Sequence, residues 1–307
     1  MFVEIRGTKR KKIGVKAASR RAFFWGLMVI VALVSVKRFT AYLSILKPAT
    51  EQQTIGRVQP YDDDTLRIAI IGDSWAEYHA DCHGSCDTLF AREAALYISR
   101  PVICRIWGRA GALTNQVYYD LLDGNGNDAC GIRSLLGWHP DYCVIMSGIN
   151  DLLKKRSMDD YVADYNLIVR CLLCHGICPV VMDIPMVDVD WVISNRAFYK
   201  RWIQYVIAQV AGTYSADVPA FRLALREMLK STGLQDSVLF IAADDWTPTG
   251  WQDTTCYRKD RLHLNDRGYQ MLDSYLAKEI LRHVASLNGK KRLPKGNHQM
   301  FRTNSRE

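Results

Sequence analysis

Runs of apolar, β-branched residues alternate along the middle of the chain with stretches in which apolar residues recur at helical spacing. The apolar runs, each of a length typical of a buried strand, span residues 66–72, 101–107, 141–148, 179–185 and 237–242. The helical stretches include residues 88–99, 158–175, 195–211 and 268–283. This alternation predicts an α/β domain in which a five-stranded parallel sheet lies between helices. Ligands of such domains bind beyond the carboxyl ends of the strands, so functional residues are expected at that edge.

A different apolar pattern near the N-terminus is typical of a membrane-directed segment. Eight Lys and Arg residues precede Ala22, and residues 22–36 carry no charge. Fifteen helical residues span only about 22 Å, but a helix that continues to Leu46 is long enough to cross a bilayer if Lys37 and Arg38 snorkel. The basic flank then stays in the cytoplasm and the rest of the chain lies on the extracytoplasmic face. A cleaved signal peptide and a peripheral or buried helix are the alternatives.

Composition sets the remaining boundaries. We expect a basic cytoplasmic tail at 1–21, a transmembrane signal anchor at 22–46, and a polar linker at 47–65 that contains two prolines. A folded domain at 66–288 follows, and the basic residues 289–307 are expected to be disordered.

Charge and composition narrow the class of protein. Residues 1–47 carry a formal charge of +10 and residues 290–307 carry +5, so the stretch between them is negative although the whole chain carries +8. A negative folded domain is a poor electrostatic match for a phosphate backbone, and we therefore predict no nucleic-acid partner. A chain with 49% hydrophobic residues is not intrinsically disordered.

Two of the predicted strands end in polar motifs. The first is followed by Asp73, Ser74 and Trp75, which makes Ser74 a candidate nucleophile at the edge of the sheet. The third is followed by Asn150 and Asp151, which brings a carboxamide to the same edge. Asp, Ser and Asn after a strand are also ordinary helix-capping residues, and each motif alone is explained as well by a cap.

A third motif lies near the end of the predicted domain. Asp260 and His263 are three residues apart, so in a helical turn both side chains project to one side. A carboxylate that holds the Nδ1–H of an imidazole leaves Nε2 free to act as a base. A serine hydroxyl needs such a base because it is barely ionised at neutral pH.

The order and spacing of these residues resemble the SGNH (GDSL-type) hydrolase family over about residues 66–284. The first block of the family matches Gly72-Asp73-Ser74, its third matches Gly148-Ile149-Asn150-Asp151, and its fifth matches Asp260 to His263. Its second block supplies a glycine after the second strand, for which Gly111 is the better match and Gly108 the alternative. Trp75 departs from the leucine of the family motif, and we expect it to shape or pack against the substrate pocket.

The resemblance implies a three-layer α/β/α, flavodoxin-like fold and a set of roles. Ser74 would be the nucleophile, His263 the general base and Asp260 the group that orients the imidazole. The oxyanion hole would consist of the Ser74 and Gly111 backbone N–H groups and the Asn150 side chain. This chemistry needs no cofactor and no metal, and none is predicted.

Several cysteines and histidines fit other chemistry. Cys171, Cys174 and His175 match a haem-attachment pattern and, with Cys178, a zinc site, but they fall between a predicted helix and a core strand and are better explained as buried packing. Four cysteines are disulfide candidates if the domain faces an oxidising space, with Cys82 and Cys86 closest together: Cys82, Cys86, Cys130 and Cys256. Two histidines near Ser74 could compete as bases but, without a paired carboxylate at fixed spacing, are better explained as surface or pocket-rim residues: His79 and His83.

These features together predict a membrane-anchored serine esterase that attacks an ester carbonyl through Ser74 and forms an acyl-enzyme. The expected substrate is an O-acetylated glycan of the cell envelope, a choice made by analogy. Three alternatives stay open: an O-acetyltransferase that passes the acyl group to a glycan, a lipid esterase or lysophospholipase, and a glycan-binding module with an idle triad.

Overall fold

The computed structural model describes residues 9–52, 63–80, 100–123, 138–211 and 217–292, together with Arg92 and Leu96. The chain divides into two compact units, Met1–Lys47 and Pro48–Glu307. The predicted helix at 88–99 lies largely outside the described residues, and Cys82, His83, Cys86 and Cys130 lie wholly outside them.

The first unit contains one long helix, α1 (Lys9–Ile45). Within it Phe23–Ile45, 23 residues, is long and apolar enough to cross a membrane. Large apolar side chains along this stretch are exposed, including Phe23, Trp25 and Leu33. A membrane anchor and a signal sequence both have this character, so the helix is a candidate for either.

The second unit is built on a parallel sheet, as the sequence predicts. Within the described residues the sheet has five strands, β1 (Leu66–Gly72), β2 (Val102–Gly108), β3 (Tyr142–Met146), β4 (Cys178–Met182) and β5 (Leu239–Ile241). Their spatial order is β2-β1-β3-β4-β5, and every paired strand is parallel. This is the flavodoxin-like order, and its topological switch point lies beside β1.

Helices cover both faces of this sheet, since every residue of β1 and β3 is buried. Among these helices, α2 (Ser74–Ala80) is hydrogen-bonded to α10 (Asp266–Arg292). In a second group, α5 (Met158–Cys174) packs against α3 (Thr114–Asp123) and α8 (Val218–Ser231). The remaining helical segments are α4 (Ile149–Leu153), α6 (Val189–Ser194), α7 (Phe198–Ala211), α9 (Ala243–Trp246) and two 3₁₀ turns, Gln235–Ser237 and Gly250–Gln252.

Two predicted boundaries differ from the structure. Ala49, Thr50 and Gln52 donate backbone hydrogen bonds to Asp164, Tyr119 and Tyr118, so the start of the predicted linker is fixed to the folded domain. At the other end α10 continues to Arg292, four residues into the stretch predicted as a disordered tail.

Candidate active site

Ser74 is the first residue of α2, directly beyond the carboxyl end of β1. A Cβ at Gly72 would lie 2.0 Å from the carbonyl oxygen of Met146, so only glycine fits there. The N–H of Asp73 donates to the same oxygen at 3.0 Å. The backbone before Ser74 is therefore held tightly against β3, and the serine is presented at the switch point of the sheet.

Ser74, His263 and Asp260 form one hydrogen-bonded chain. The Ser74 Oγ lies 2.9 Å from His263 Nε2, and His263 Nδ1 lies 2.7 Å from Asp260 Oδ2. The second Asp260 oxygen accepts the backbone N–H groups of Leu262 and His263. These bonds fix the turn, and they fit a neutral imidazole that carries its proton on Nδ1 and accepts from the serine at Nε2.

The environment of Asp260 keeps this carboxylate ionised. Partial burial acts to raise the pKa of Asp260, but the hydrogen bonds from the His263 ring and from the His263 and Leu262 N–H groups outweigh it and lower the pKa to about 2. The negative charge beside His263 is therefore present at any pH near neutrality. The Tyr78 ring packs edge-on against the same imidazole at a centroid distance of 4.8 Å.

Asn150 reaches the same edge at the start of α4. Its Nδ2 donates to Asp73 Oδ2 at 3.2 Å. Gly148 before it has a φ of 121°, and a Cβ there would lie 2.7 Å from the Tyr161 ring, so glycine is required for the sharp entry into α4. Asp73 thus orients the Asn150 carboxamide, which the family resemblance assigns to the oxyanion hole.

The two candidate glycines after β2 differ in their surroundings. Gly108 is packed against α2, because a Cβ there would lie 2.0 Å from the Glu77 backbone nitrogen. Gly111 has a φ of 74° with open space where a Cβ would point, and its carbonyl accepts a hydrogen bond from Lys154 Nζ at 2.6 Å. The openness beside Gly111 favours it over Gly108 as a residue that faces a ligand.

A family model decides the classification. The GDSL-like lipase/acylhydrolase family matches residues 70–271, which span β1 through the start of α10. The chain belongs to this family. It is accordingly a carboxylic ester hydrolase of the GDSL type, and the resemblance seen in its sequence is confirmed at the level of the family.

Solved structures that this hydrolase resembles have low sequence identity to it. A lipase/acylhydrolase from Enterococcus faecalis has 17% identity and a TM-score of 0.49, with 71% of this chain and 96% of that one covered. An acetylxylan esterase from Geobacillus stearothermophilus has 15% identity and a TM-score of 0.45, with 74% and 96% covered. A GDSL-like lipase from Bacteroides thetaiotaomicron has 14% identity and a TM-score of 0.46, with 71% and 88% covered. No curated protein matches the chain.

Sequence reasoning misplaced one side chain near the site of the GDSL hydrolase. His79, expected at the surface or the pocket rim, is buried, and its Nε2 lies 2.5 Å from Asp273 Oδ1 on α10. This outcome was not readable locally, because the partner comes from α10. Trp75, expected to shape or pack against the pocket, is buried, packs edge-on against Trp246 and Tyr257, and lines a cavity together with Asp73.

The structure adds no support for a haem or zinc site at the cysteines. Cys171 and Cys174 lie at the end of α5 and Cys178 lies at the start of β4, and Cys256 is a buried thiol. Among the described residues there is no group of three or more His, Cys, Asp or Glu side chains able to hold a metal ion.

Asp73 is a functional candidate that the sequence analysis did not assign. Complete burial raises the pKa of its carboxyl group to about 7, although the Trp75 N–H and the Asn150 side chain act in the opposite direction. Because the folded state then binds a proton more tightly than the unfolded chain, stability is lost as pH rises from about 4 to about 7. The ionised form of Asp73 therefore lowers the stability of the folded hydrolase.

We expect Asp73→Asn to stabilise the GDSL hydrolase and to slow it. At pH 8 the free energy of unfolding should rise on the order of 2 kcal/mol, because the buried charge is gone, and at pH 4 the difference should disappear. Ester hydrolysis should fall at least about 10-fold, because Asn150 loses the carboxylate that orients it. Urea titrations at both pH values and initial rates test this. An unchanged pH dependence of stability in the variant would contradict the assignment.

Proposed function

We propose that this GDSL-type hydrolase is a serine esterase that removes short acyl groups, acetyl above all, from a glycan of the cell envelope. The observation that carries the proposal is the unbroken hydrogen-bonded chain from Ser74 through His263 to Asp260. The same three residue types in this geometry activate a serine hydroxyl on several unrelated folds.

In the proposed mechanism Ser74 Oγ attacks the ester carbonyl while His263 Nε2 takes its proton. Asp260 stays ionised, keeps the Nδ1 proton in place and stabilises the imidazolium that forms. When the tetrahedral intermediate collapses, the imidazolium returns the proton to the departing alcohol and leaves an acyl-enzyme. Water then attacks the acyl-enzyme with His263 again as base. Collapse of this second tetrahedral intermediate releases the carboxylic acid and restores the Ser74 hydroxyl.

The proposed oxyanion hole consists of the Ser74 and Gly111 backbone N–H groups and the Asn150 Nδ2. Asn150 is supported in this role by its bond to Asp73, and the loop at Gly111 is held by the bond from Lys154 to the Gly111 carbonyl. A preorganised donor at the developing oxyanion contributes about 10² to 10³ in rate. The Lys154 ammonium adds positive charge beside the same loop, although burial lowers its pKa.

Two observations support a glycan of the envelope as substrate. The candidate span Phe23–Ile45, with the basic residues before it, supports an uncleaved anchor that leaves the catalytic domain on the extracytoplasmic side. Trp191 and Trp251 are half-buried and both contact Arg261 within the Asp260–His263 turn. Tryptophan rings present broad apolar faces with a polar edge, which suits the stacking of sugar rings.

The test is a substrate series with the full chain in detergent. We expect kcat/KM on aryl acetate to exceed that on aryl octanoate at least about 10-fold, and acetate to be released from an O-acetylated polysaccharide. Ser74→Ala is the control for background hydrolysis. A rate that rises with acyl length would contradict the proposal and indicate a lipid esterase. The candidate membrane span is also compatible with that activity. Acetyl transfer to an added glycan in preference to water would replace it with an O-acetyltransferase.

A further inference from the structure

Arg261 has an unusual backbone for a residue with a large side chain. It lies between Asp260 and Leu262 with a φ of 53°, in the left-handed region that side chains with a Cβ avoid. The turn demands this conformation, because the Asp260 carboxylate accepts the N–H groups of Leu262 and His263 while the Arg261 N–H donates to the Arg258 carbonyl. A conformation of this cost persists only where the surroundings hold it in place.

The surroundings hold Arg261 through its backbone and its side chain together. The Arg261 carbonyl accepts the N–H of Asp188 at 3.2 Å, and its Nη1 donates to Asp188 Oδ2 at 2.7 Å. The guanidinium carbon lies 5.2 Å from the centroid of the Trp191 ring and 4.9 Å from that of Trp251. An arginine whose planar guanidinium donates to a carboxylate and stacks on aromatic rings makes a well-defined contact. Lysine cannot make the same contact.

The partners of Arg261 are themselves fixed to the domain. Asp188 is the N-cap of α6 and accepts the N–H of Trp191 with its other oxygen. Trp251 belongs to the 3₁₀ turn Gly250–Gln252, and its N–H donates to the carbonyl of Met186 in the loop after β4. Three separate segments, the loop after β4, the 3₁₀ turn and the turn with Asp260 and His263, therefore meet at one side chain.

We propose that Arg261 is a positioning residue that latches the Asp260–His263 turn to the N-terminus of α6 and so aligns the imidazole with Ser74. The inference rests on the proposed function of that triad and adds a residue to it. Arg261 acts through Asp260 and His263 and takes no part in proton transfer. An exposed ion pair alone contributes little, but a displacement of about 1 Å in a catalytic group costs about 10²-fold in rate.

Four variants of the full chain in detergent separate the latch from simpler explanations. Arg261→Ala removes the latch, and Arg261→Gly removes it while also relieving the left-handed backbone. Arg261→Lys keeps the charge without the planar stack. Asp188→Asn weakens the ion pair but keeps a good helix cap for α6. Arg282→Ala, which breaks an exposed pair with Glu279 on α10, is the matched control.

We expect Arg261→Ala and Arg261→Gly to lower kcat on aryl acetate about 10- to 100-fold with KM changed less than about 2-fold. Arg261→Lys should recover part of the rate, and Asp188→Asn should lose part of it. The double variant Arg261→Ala/Asp188→Asn should be no slower than Arg261→Ala, since both changes break one contact. If Arg261→Ala fails to fold, the Lys and Asp188→Asn variants carry the test.

The latch is overturned if Arg261→Gly matches the wild type, because the residue would then only bear strain. It is also overturned if the loss falls on KM alone, which would make Arg261 a substrate contact. Ser74→Ala measured in parallel separates this from a failure of the proposed function. An active Ser74→Ala variant refutes the triad itself, whereas an inactive one beside a normal Arg261→Ala refutes only the latch.

Discussion

Ser74→Ala is expected to lower kcat/KM for an aryl acetate at least about 10³-fold, and His263→Ala should cost as much. Without Ser74 there is no nucleophile in the chain of hydrogen bonds, and without His263 the Ser74 hydroxyl loses the base that lies 2.9 Å from it. Because the two residues act as a unit, the double variant should be about as slow as either single one. Initial rates across a range of substrate concentrations measure all three losses.

A matched histidine controls for the general effect of removing a ring. His283 bonds Tyr142 at the start of β3, which is the edge of the sheet opposite the carboxyl ends. His283→Ala should keep kcat/KM within about 3-fold of the wild type, because no reacting group depends on it. If His263→Ala slowed the enzyme no more than His283→Ala does, the proposed general base would be wrong.

The largest expected effect on stability comes from a buried arginine behind the site. Arg156 is almost fully buried and pairs with Asp151 at 2.9 Å and with Asp164. Asp151 also accepts the backbone and hydroxyl groups of Thr114, and Asp164 accepts the N–H of Ala49. Arg156→Ala leaves two buried carboxylates without their cation, so the free energy of unfolding should fall by about 3–5 kcal/mol.

This loss should depend on pH. Burial already raises the pKa of Asp164 to about 6 even with Arg156 present, and without the arginine the pKa of both carboxyls should rise further. A raised pKa in the folded state means stability that is lost as pH rises, so the deficit should be larger at pH 8 than at pH 5. Arg282→Ala is the exposed control and should cost less than about 1 kcal/mol. Urea titrations measure both losses. If Arg156→Ala also cost less than about 1 kcal/mol, and equally at both pH values, the buried network would not support the fold.

The elements of the sheet were predictable because their signal is local. Each buried parallel strand reads as a continuous apolar run, and all five predicted runs overlap strands β1 to β5. The predicted ends of the strands were less accurate where a turn or a positive φ terminates the strand. The run at 141–148 ends as a strand at Met146, since Gly148 with its φ of 121° already leads into α4, and the run at 237–242 is shortened by the 3₁₀ turn before β5.

The support of the site was not predictable because its partners lie far apart in the sequence. His79 and Asp273 are 194 residues apart, and Ala49 and Asp164 are 115 apart. Nothing around Asp73 or Lys154 in the sequence shows that one orients Asn150 and the other holds the Gly111 carbonyl. Arg261 could be singled out only from its φ and from its contacts with Asp188, Trp191 and Trp251. Motif spacing therefore identifies the proposed reacting groups, while the residues proposed to orient them are identified only from tertiary packing.

Covalent labelling shows whether Ser74 is the nucleophile. The full chain in detergent is treated with a fluorophosphonate, and the adduct is located by mass spectrometry of its peptides. We expect one phosphonyl group on Ser74 Oγ, formed in step with the loss of esterase activity, and labelling at least about 10³-fold slower in His263→Ala. Full loss of activity with the label on another residue, or equal labelling of the Ser74→Ala variant, would contradict it.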